Sequence, residues 1–205
     1  RNVILQVEKS AAQAGQSVLQ VDELRVQDDR GQTVVKGVTL SVKAGEILGI
    51  AGVQGNGQRE LVEALTGLRP VESGRIEIDG RETTHFSPRR LTRLGVAHIP
   101  EDREKHGLVM AYSLADNLVL NKYYDRPYAS GPVMHLEKIK ADGRLLVDEY
   151  DVRPPNVQAP ARSLSGGNKQ KVIVAREFSR PTKLLISAQP TRGIDVGSIE
   201  FIHRE

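Results

Sequence analysis

The sequence predicts an α/β fold: a mixed or parallel sheet with helices, an antiparallel β layer and a small helical region. Three observations predict it. Two alternating apolar runs face each other across a short polar turn, a continuous apolar run leads into a glycine-rich loop and a helix, and short buried-type runs recur between helical stretches further along.

Taken in order, the first sixteen residues, around the VILQV run, read as a linker or an edge strand. SVLQVDELRV from Ser17 and TVVKGVTLSV then alternate, with DDRGQ between them, which is a hairpin. After KAGE, the run ILGIAG reads as a fully buried strand of the kind found in parallel sheets. RELVEALTG has helical spacing and ends on Gly67, and RIEIDG is a short alternating strand. SPRRLTRLG starts like a small helix, with Ser87 as cap and Pro88 at the first helical position. VAHI is another buried-type strand, followed by the charged, turn-like PEDREKHG. Residues from about Ser113 to Val152 are mostly helical with an interruption over 123–132, and RPPNVQAPA ends them. SLSGGNKQKVIVAREFSR is a loop entering an amphipathic helix, KLLIS a buried strand, QPTRGIDVG a loop and SIEFIHRE a helix.

Composition narrows the classes. The 205 residues suffice for one large α/β domain, and 39% hydrophobic with 27% charged residues is ordinary globular usage. No apolar run approaches the ~20 residues of a membrane-spanning helix. The 29 Lys+Arg and 26 Asp+Glu nearly cancel and are scattered, which argues against nucleic acid. The absence of cysteine excludes thiolate metal sites and disulfides. The chain begins at Arg1 without a signal peptide and ends inside a helix, so it reads as an excised fragment. His85, His98, His106, His135 and His203 show no metal-ligand spacing, and Arg89, Arg90 and Arg93 read as a solvated helix face.

Two segments carry chemistry. A strand, then GVQGNGQREL over 52–61, then a helix is the layout of a phosphate-binding loop, G-x-x-x-x-G-K-[ST], with Gly52 and Gly57 in the glycine positions. Its amides form an anion nest aided by the helix N-terminus. Gln58 stands where the lysine belongs and Arg59 where the Mg²⁺-binding Ser/Thr belongs. Alone, this segment also fits a structural turn without ligand. The second segment, SLSGGNKQK, places Ser165, Gly166 and Gly167 at the mouth of a helix, an arrangement that by itself is more often structural.

With these two segments in this order, followed by KLLIS and QPTRGIDVG, residues 17–205 resemble the ATP-binding cassette (ABC) family, and LSGG is similar to its signature motif. GEILGIAG, IPEDREKHGLV, LSGGN and PTRGIDVG resemble the second cassette of fused two-cassette importer ATPases for sugars and nucleosides. The resemblance implies a RecA-like P-loop NTPase fold with a helical subdomain at about 109–162. It implies nucleotide contacts from Gly52, Gln54, Gly55, Asn56, Gly57, Gln58, Arg59 and Glu60, and a Q-loop residue at Glu101. It assigns the signature loop to Leu164, Ser165, Gly166, Gly167 and Asn168, and the D-loop to Gly193, Ile194 and Asp195.

Where the family carries an Asp-Glu pair after the KLLI strand, this chain has Ala188 at the metal-organising position and Gln189 at the general-base position. The resemblance therefore implies ATP as ligand, with Mg²⁺ in a partner's site and no protein ligand for it in the chain's own. It implies weak or absent hydrolysis at that own site, with Ser165 and Gly167 reaching the γ-phosphate of ATP on a partner cassette and Asp195 supporting the pairing. Glu101 reads as a residual cation ligand or a solvated loop charge. The implied partners are the first cassette of the same subunit, transmembrane permease subunits and, indirectly, an extracytoplasmic substrate-binding protein, at the cytoplasmic face of the membrane. The competing readings are a structural or regulatory cassette without nucleotide, and a non-transport ABC ATPase.

Overall fold

The computed structural model describes residues 14–53, 55–195 and 197–199; the expected N-terminal linker or edge strand, Gln54 and most of the C-terminal helix lie outside them. The described residues divide into two compact units, one of residues 14–97 and 182–186, the other of 98–181 and 187–199.

In the first unit the expected hairpin is present. β1 (Ser17–Gln27) and β2 (Thr33–Lys43) pair antiparallel, Val21 opposite Leu40 and Leu24 opposite Val38. β3 (Ser73–Ile78) adds to the other edge of β1 with Leu19 opposite Ile78 and Val21 opposite Ile76, and the short β4 (Arg81–Glu82) closes the order β2-β1-β3-β4. The period-2 pattern sends Leu19, Val21, Ile76 and Ile78 to one face, where they pack with Leu61, Ala64 and Leu65 of α1 (Gln58–Leu65). Burying each of the isoleucines contributes roughly 1.5–3 kcal/mol. Gly67, at φ 71, follows the end of α1 as expected, and α2 (Pro88–Leu94) runs from Ser87 to Gly95. Ser87 makes no side-chain cap bond; Pro88 alone pre-sets that start. Arg90, expected on a solvated face, stacks on the Phe86 ring at 3.7 Å.

Two expected buried strands are corrected. Over 46–53 no strand forms and the apolar side chains stay open, Ile47 at 85% and Val53 at 74% exposure. A continuous apolar run is buried only where neighbours cover both of its faces, and among the described residues no strand pairs with it. The KLLIS run does form β8 (Leu184–Ser187), paired with β5 (Val96–Ile99), but only Leu184 is buried.

The second unit is built on helices. α3 (Leu114–Leu118) and α4 (Leu136–Glu149) meet where Gly143 lets the backbone of Ala115 approach, 3.3 Å from where a Cβ would stand. The interruption between them holds a hairpin that the sequence reading lacked, β6 (Ala129–Ser130) and β7 (Val133–Met134), turned by Gly131 at φ 62. α5 (Gly166–Phe178) is not the half-exposed helix its periodicity suggested. Val172, Ile173, Val174 and Ala175 are fully buried, and Arg176 and Glu177 are buried beside them as a pair at 2.9 Å. The cost of burying those charges is offset because Arg176 also donates to the Gly107 carbonyl at 2.7 Å and Arg180 reaches Glu177 at 2.9 Å. No helix among the described residues is long and apolar enough to cross a membrane.

Candidate functional site

Candidate residues occur in both units. In the first, the glycine-rich loop opens α1 with Gly57 at its N-cap in the left-handed region, φ 87, and no side chain caps the helix. The first-turn amides are therefore left to an anion or to water. Among the described residues of the loop and first turn, the one cation, Arg59, is paired within the helix. Gln58 folds back over the start of the loop, its Nε2 lying 2.7 Å from where a Cβ on Gly52 would be. Arg59 pairs with Glu63 at 2.7 Å, one turn along α1. Glu63 in turn pairs with Arg69 at 2.7 Å, and Arg69 with Asp29 at 2.8 Å. Burial pushes the Glu63 carboxyl up, but Arg59 and Arg69 outweigh it and hold it below its ordinary value. Glu60 adds a negative charge in the first turn. The donor set thus fits phosphate oxygens through backbone amides alone, with its one nearby guanidinium committed elsewhere.

In the second unit three loops come together. Asp102 caps the helical turn Arg103–Gly107, accepting from the amides of Glu104 and Lys105 at 3.0 Å each, within the segment the sequence reads as turn-like. Those bonds hold the Asp102 carboxyl below its ordinary value, the Lys105 amide foremost. Glu101, read from sequence as a residual cation ligand or a solvated loop charge, forms an ion pair with Arg192. Arg103 donates to the carbonyls of Arg192 at 2.8 Å and Gly193 at 3.0 Å, and Glu104 pairs with Lys169 of α5 at 2.6 Å. One short segment thereby holds both the 192–195 loop and the start of α5.

At that start, Leu164 is buried and anchors the loop, while Ser165 is exposed in the N-cap position, its Oγ accepting from the Asn168 amide at 3.4 Å and from Asn168 Nδ2 at 3.0 Å. A Cβ on Gly166 would stand 3.3 Å from the Gly193 carbonyl, and one on Gly167 only 2.2 Å from Ser198 Oγ and 2.8 Å from Asp195 Oδ2. The paired glycines therefore let α5 lie against the 193–198 segment. Ile194 is half-buried there. Asp195 faces its own chain: it accepts from the Ser198 hydroxyl at 2.8 Å and from the Ser198 amide at 3.0 Å, and these two bonds, in that order, hold its carboxyl low. The Ala188 amide donates to the Ile99 carbonyl at 2.9 Å, and Gln189 is exposed with φ 47, a conformation non-glycine residues seldom adopt. Among the described residues no three His, Asp or Glu side chains are placed to hold a metal.

The sequence reading missed Arg103, Arg192 and Ser198, whose contacts join segments some ninety residues apart or depend on a turn. Capping by Asp195 gives a measurable expectation. With its folded pKa below the ordinary 3.8, the support it lends to the 195–199 turn is present above that ordinary value and is lost as pH falls through the lowered one. Asp195→Ala should speed hydrogen exchange at the Ser198 and Ile199 amides near neutral pH by roughly tenfold, the scale of a lost cap. Unchanged exchange would assign the turn to other contacts.

Comparison with known proteins adds the following. The family model described as ABC transporter matches residues 35–192. The chain is 51% identical over 205 residues to the guanosine import ATP-binding protein NupO of Bacillus subtilis and 47% identical over 204 residues to the nucleoside import ATP-binding protein NupA of Lactococcus lactis. Each of those matches covers all of this chain and 40% of the relative. A glucose import ATP-binding protein of Haloferax volcanii is 41% identical over 98% of this chain and 37% of its own length. The chain thus spans about two fifths of the length of these curated relatives. Among solved structures, a dimeric post-hydrolysis state of an ATP-binding cassette bound to ADP and Pi superposes with a TM-score of 0.74 at 20% identity, covering 91% of this chain and 80% of that one. At that identity the likeness speaks to the fold, which is the α/β fold of ATP-binding cassettes.

Proposed function

The chain belongs to the ABC transporter family, and from that premise we propose that it is the second cassette of a fused importer ATPase for nucleosides or simple sugars, degenerate at its own site. In this reading its own site hydrolyses ATP weakly or not at all, and it lends Ser165 and the loop 164–168 to ATP held by the first cassette of the same polypeptide. Mg²⁺ acts in that partner site. Permease subunits anchor the assembly at the cytoplasmic face of the membrane, and a substrate-binding protein outside delivers the cargo. Relatives described as guanosine, nucleoside and glucose import proteins support the cargo class.

The observation that carries the degenerate reading is the state of the glycine-rich loop. Its backbone is shaped for an anion, yet Gln58 replaces the lysine and Arg59 is paired with Glu63. Phosphoryl transfer relies on positioning and charge neutralisation, and at the general-base position stands the neutral Gln189. Loss of a general base alone costs about 10²- to 10⁴-fold.

A single-turnover experiment on the full-length polypeptide tests it. One equivalent of phosphate per chain is expected in the burst, with the loop variant Gln58→Lys, Arg59→Ser, Ala188→Asp binding a further MgATP in calorimetry. A burst of two equivalents from the parent would overturn the reading.

A further inference from the structure

We propose that Asn168 is a positioning residue that sets the direction of the Ser165 hydroxyl, so that the proton of that hydroxyl points out of the chain as a donor to a terminal phosphate. The proposal rests on the signature-loop reading above and deepens it.

The hydrogen bonds themselves decide how the Asn168 side chain is oriented. The backbone amide of Arg153 lies 2.7 Å from the Asn168 side chain. An amide N–H can only donate, so the atom it meets is the oxygen, Oδ1. The NH₂ group is then the part that faces Ser165, and it donates to Oγ at 3.0 Å. The Asn168 main-chain amide donates to the same oxygen at 3.4 Å. A serine hydroxyl has two lone pairs and one proton. Both lone pairs are turned to donors of the chain, and among the described residues no acceptor takes the proton. Ser165 is exposed, so the proton faces outward at the N-terminus of a thirteen-residue helix.

Arg153 is itself held in place from the same helix. Lys171, one turn beyond Asn168, donates to the Asp151 carbonyl at 2.9 Å and pairs with its carboxylate at 3.1 Å, while Arg153 pairs with Asp151 at 2.7 Å. The segment after α4 is therefore fixed against α5 at two successive turns, and the amide that orients Asn168 has little freedom. Both polar ends of the Asn168 side chain are occupied inside the chain, which makes it a device for presenting Ser165 and not itself a ligand contact.

The test is a double-mutant cycle on ATP hydrolysis by the full-length polypeptide assembled with its permease, with thermal midpoints measured alongside. Asn168→Asp keeps the shape and still accepts from Arg153, but it offers Ser165 an acceptor where there was a donor, so the hydroxyl proton turns inward. It is expected to lower kcat at least about tenfold with an unchanged midpoint, and Ser165→Ala about 10²-fold, the scale of one lost donor to a developing charge. On the Ser165→Ala background, Asn168→Asp should then cost nothing further. Should Asn168→Asp shift the midpoint, Asn168→Ala carries the same cycle.

If Ser165→Ala leaves the rate unchanged, the signature-loop reading fails and the proposal with it. If Ser165→Ala lowers the rate while the Asn168 variant does not, or if the two effects multiply, Asn168 does not act through Ser165 and this inference alone is overturned.

Discussion

Replacing Ser165 by arginine is expected to stop ATP hydrolysis by the full-length polypeptide, by about 10³-fold or more, while leaving this chain folded. Ser165 is exposed, and its backbone sits at φ −65, ψ 162, a region open to any residue. Its loss as a cap removes about 1 kcal/mol. The helix behind it is anchored by Leu164, Val172, Ile173 and Val174, all buried and none of them altered. Unfolding therefore does not explain the loss.

What changes is the space in front of α5. The outward hydroxyl disappears, and a long cationic side chain fills the place proposed for a partner's γ-phosphate. Removing one donor to developing charge typically costs 10²- to 10³-fold, and occlusion adds to it. The control is Gln189→Ala in the same polypeptide. If the chain's own site is idle, that change should alter the rate less than about twofold. Full activity in Ser165→Arg would remove the role of this loop in a partner's site, and a large loss in Gln189→Ala would mean that the chain's own site turns over.

Much of the fold could be read from the sequence because the signals were local. Alternation over 17–43 predicted the β1–β2 hairpin, since period 2 assigns faces without knowledge of anything distant. Ser165 followed by two glycines placed the start of α5 for the same reason. ILGIAG misled because an apolar run says only that its residues avoid water, and not which strand will cover them. α5 misled in the opposite sense. The helix reads as amphipathic, yet Lys169, Arg176 and Glu177 are all buried, with Glu104, the Gly107 carbonyl and Arg180 meeting their charges.

The candidate site divides in the same way. The resemblance to the family's motifs named Glu101, Ser165 and Asp195, but not what their side chains do inside the chain. Glu101 to Arg192 and Arg103 to Gly193 are contacts across about ninety residues. Asp195 to Ser198 is local, and the D-x-x-S spacing of a cap was available to be read.

The three glycines of the phosphate-binding loop should differ sharply when changed to alanine, and the order separates what the fold needs from what a ligand needs. Gly57 combines φ 87 with close approach: a Cβ there would stand 2.8 Å from the Val34 carbonyl oxygen and 3.2 Å from its carbon, both main-chain atoms of β2 that cannot swing aside. The left-handed conformation costs about 1–2 kcal/mol for an L-residue, and forced repacking about 1–3 kcal/mol more. Gly57→Ala is therefore expected to destabilise the chain by roughly 2–5 kcal/mol, a fall of the order of 5–20 °C in thermal midpoint for a chain of this size. Gly55 has a similar φ of 91 but nothing within 4 Å, so Gly55→Ala should cost only the conformational part, about 1–2 kcal/mol. Gly52 has an ordinary φ, and its crowding comes from the Gln58 side-chain amide, which can rotate away. Gly52→Ala should therefore move the midpoint least while displacing Gln58. Urea unfolding of the three variants without nucleotide reads the order directly. If Gly57→Ala proved no worse than Gly55→Ala, the approach of β2 to this loop would carry no energy, and the persistence of a glycine at 57 in a loop without its lysine would have to be explained by nucleotide instead of by the fold.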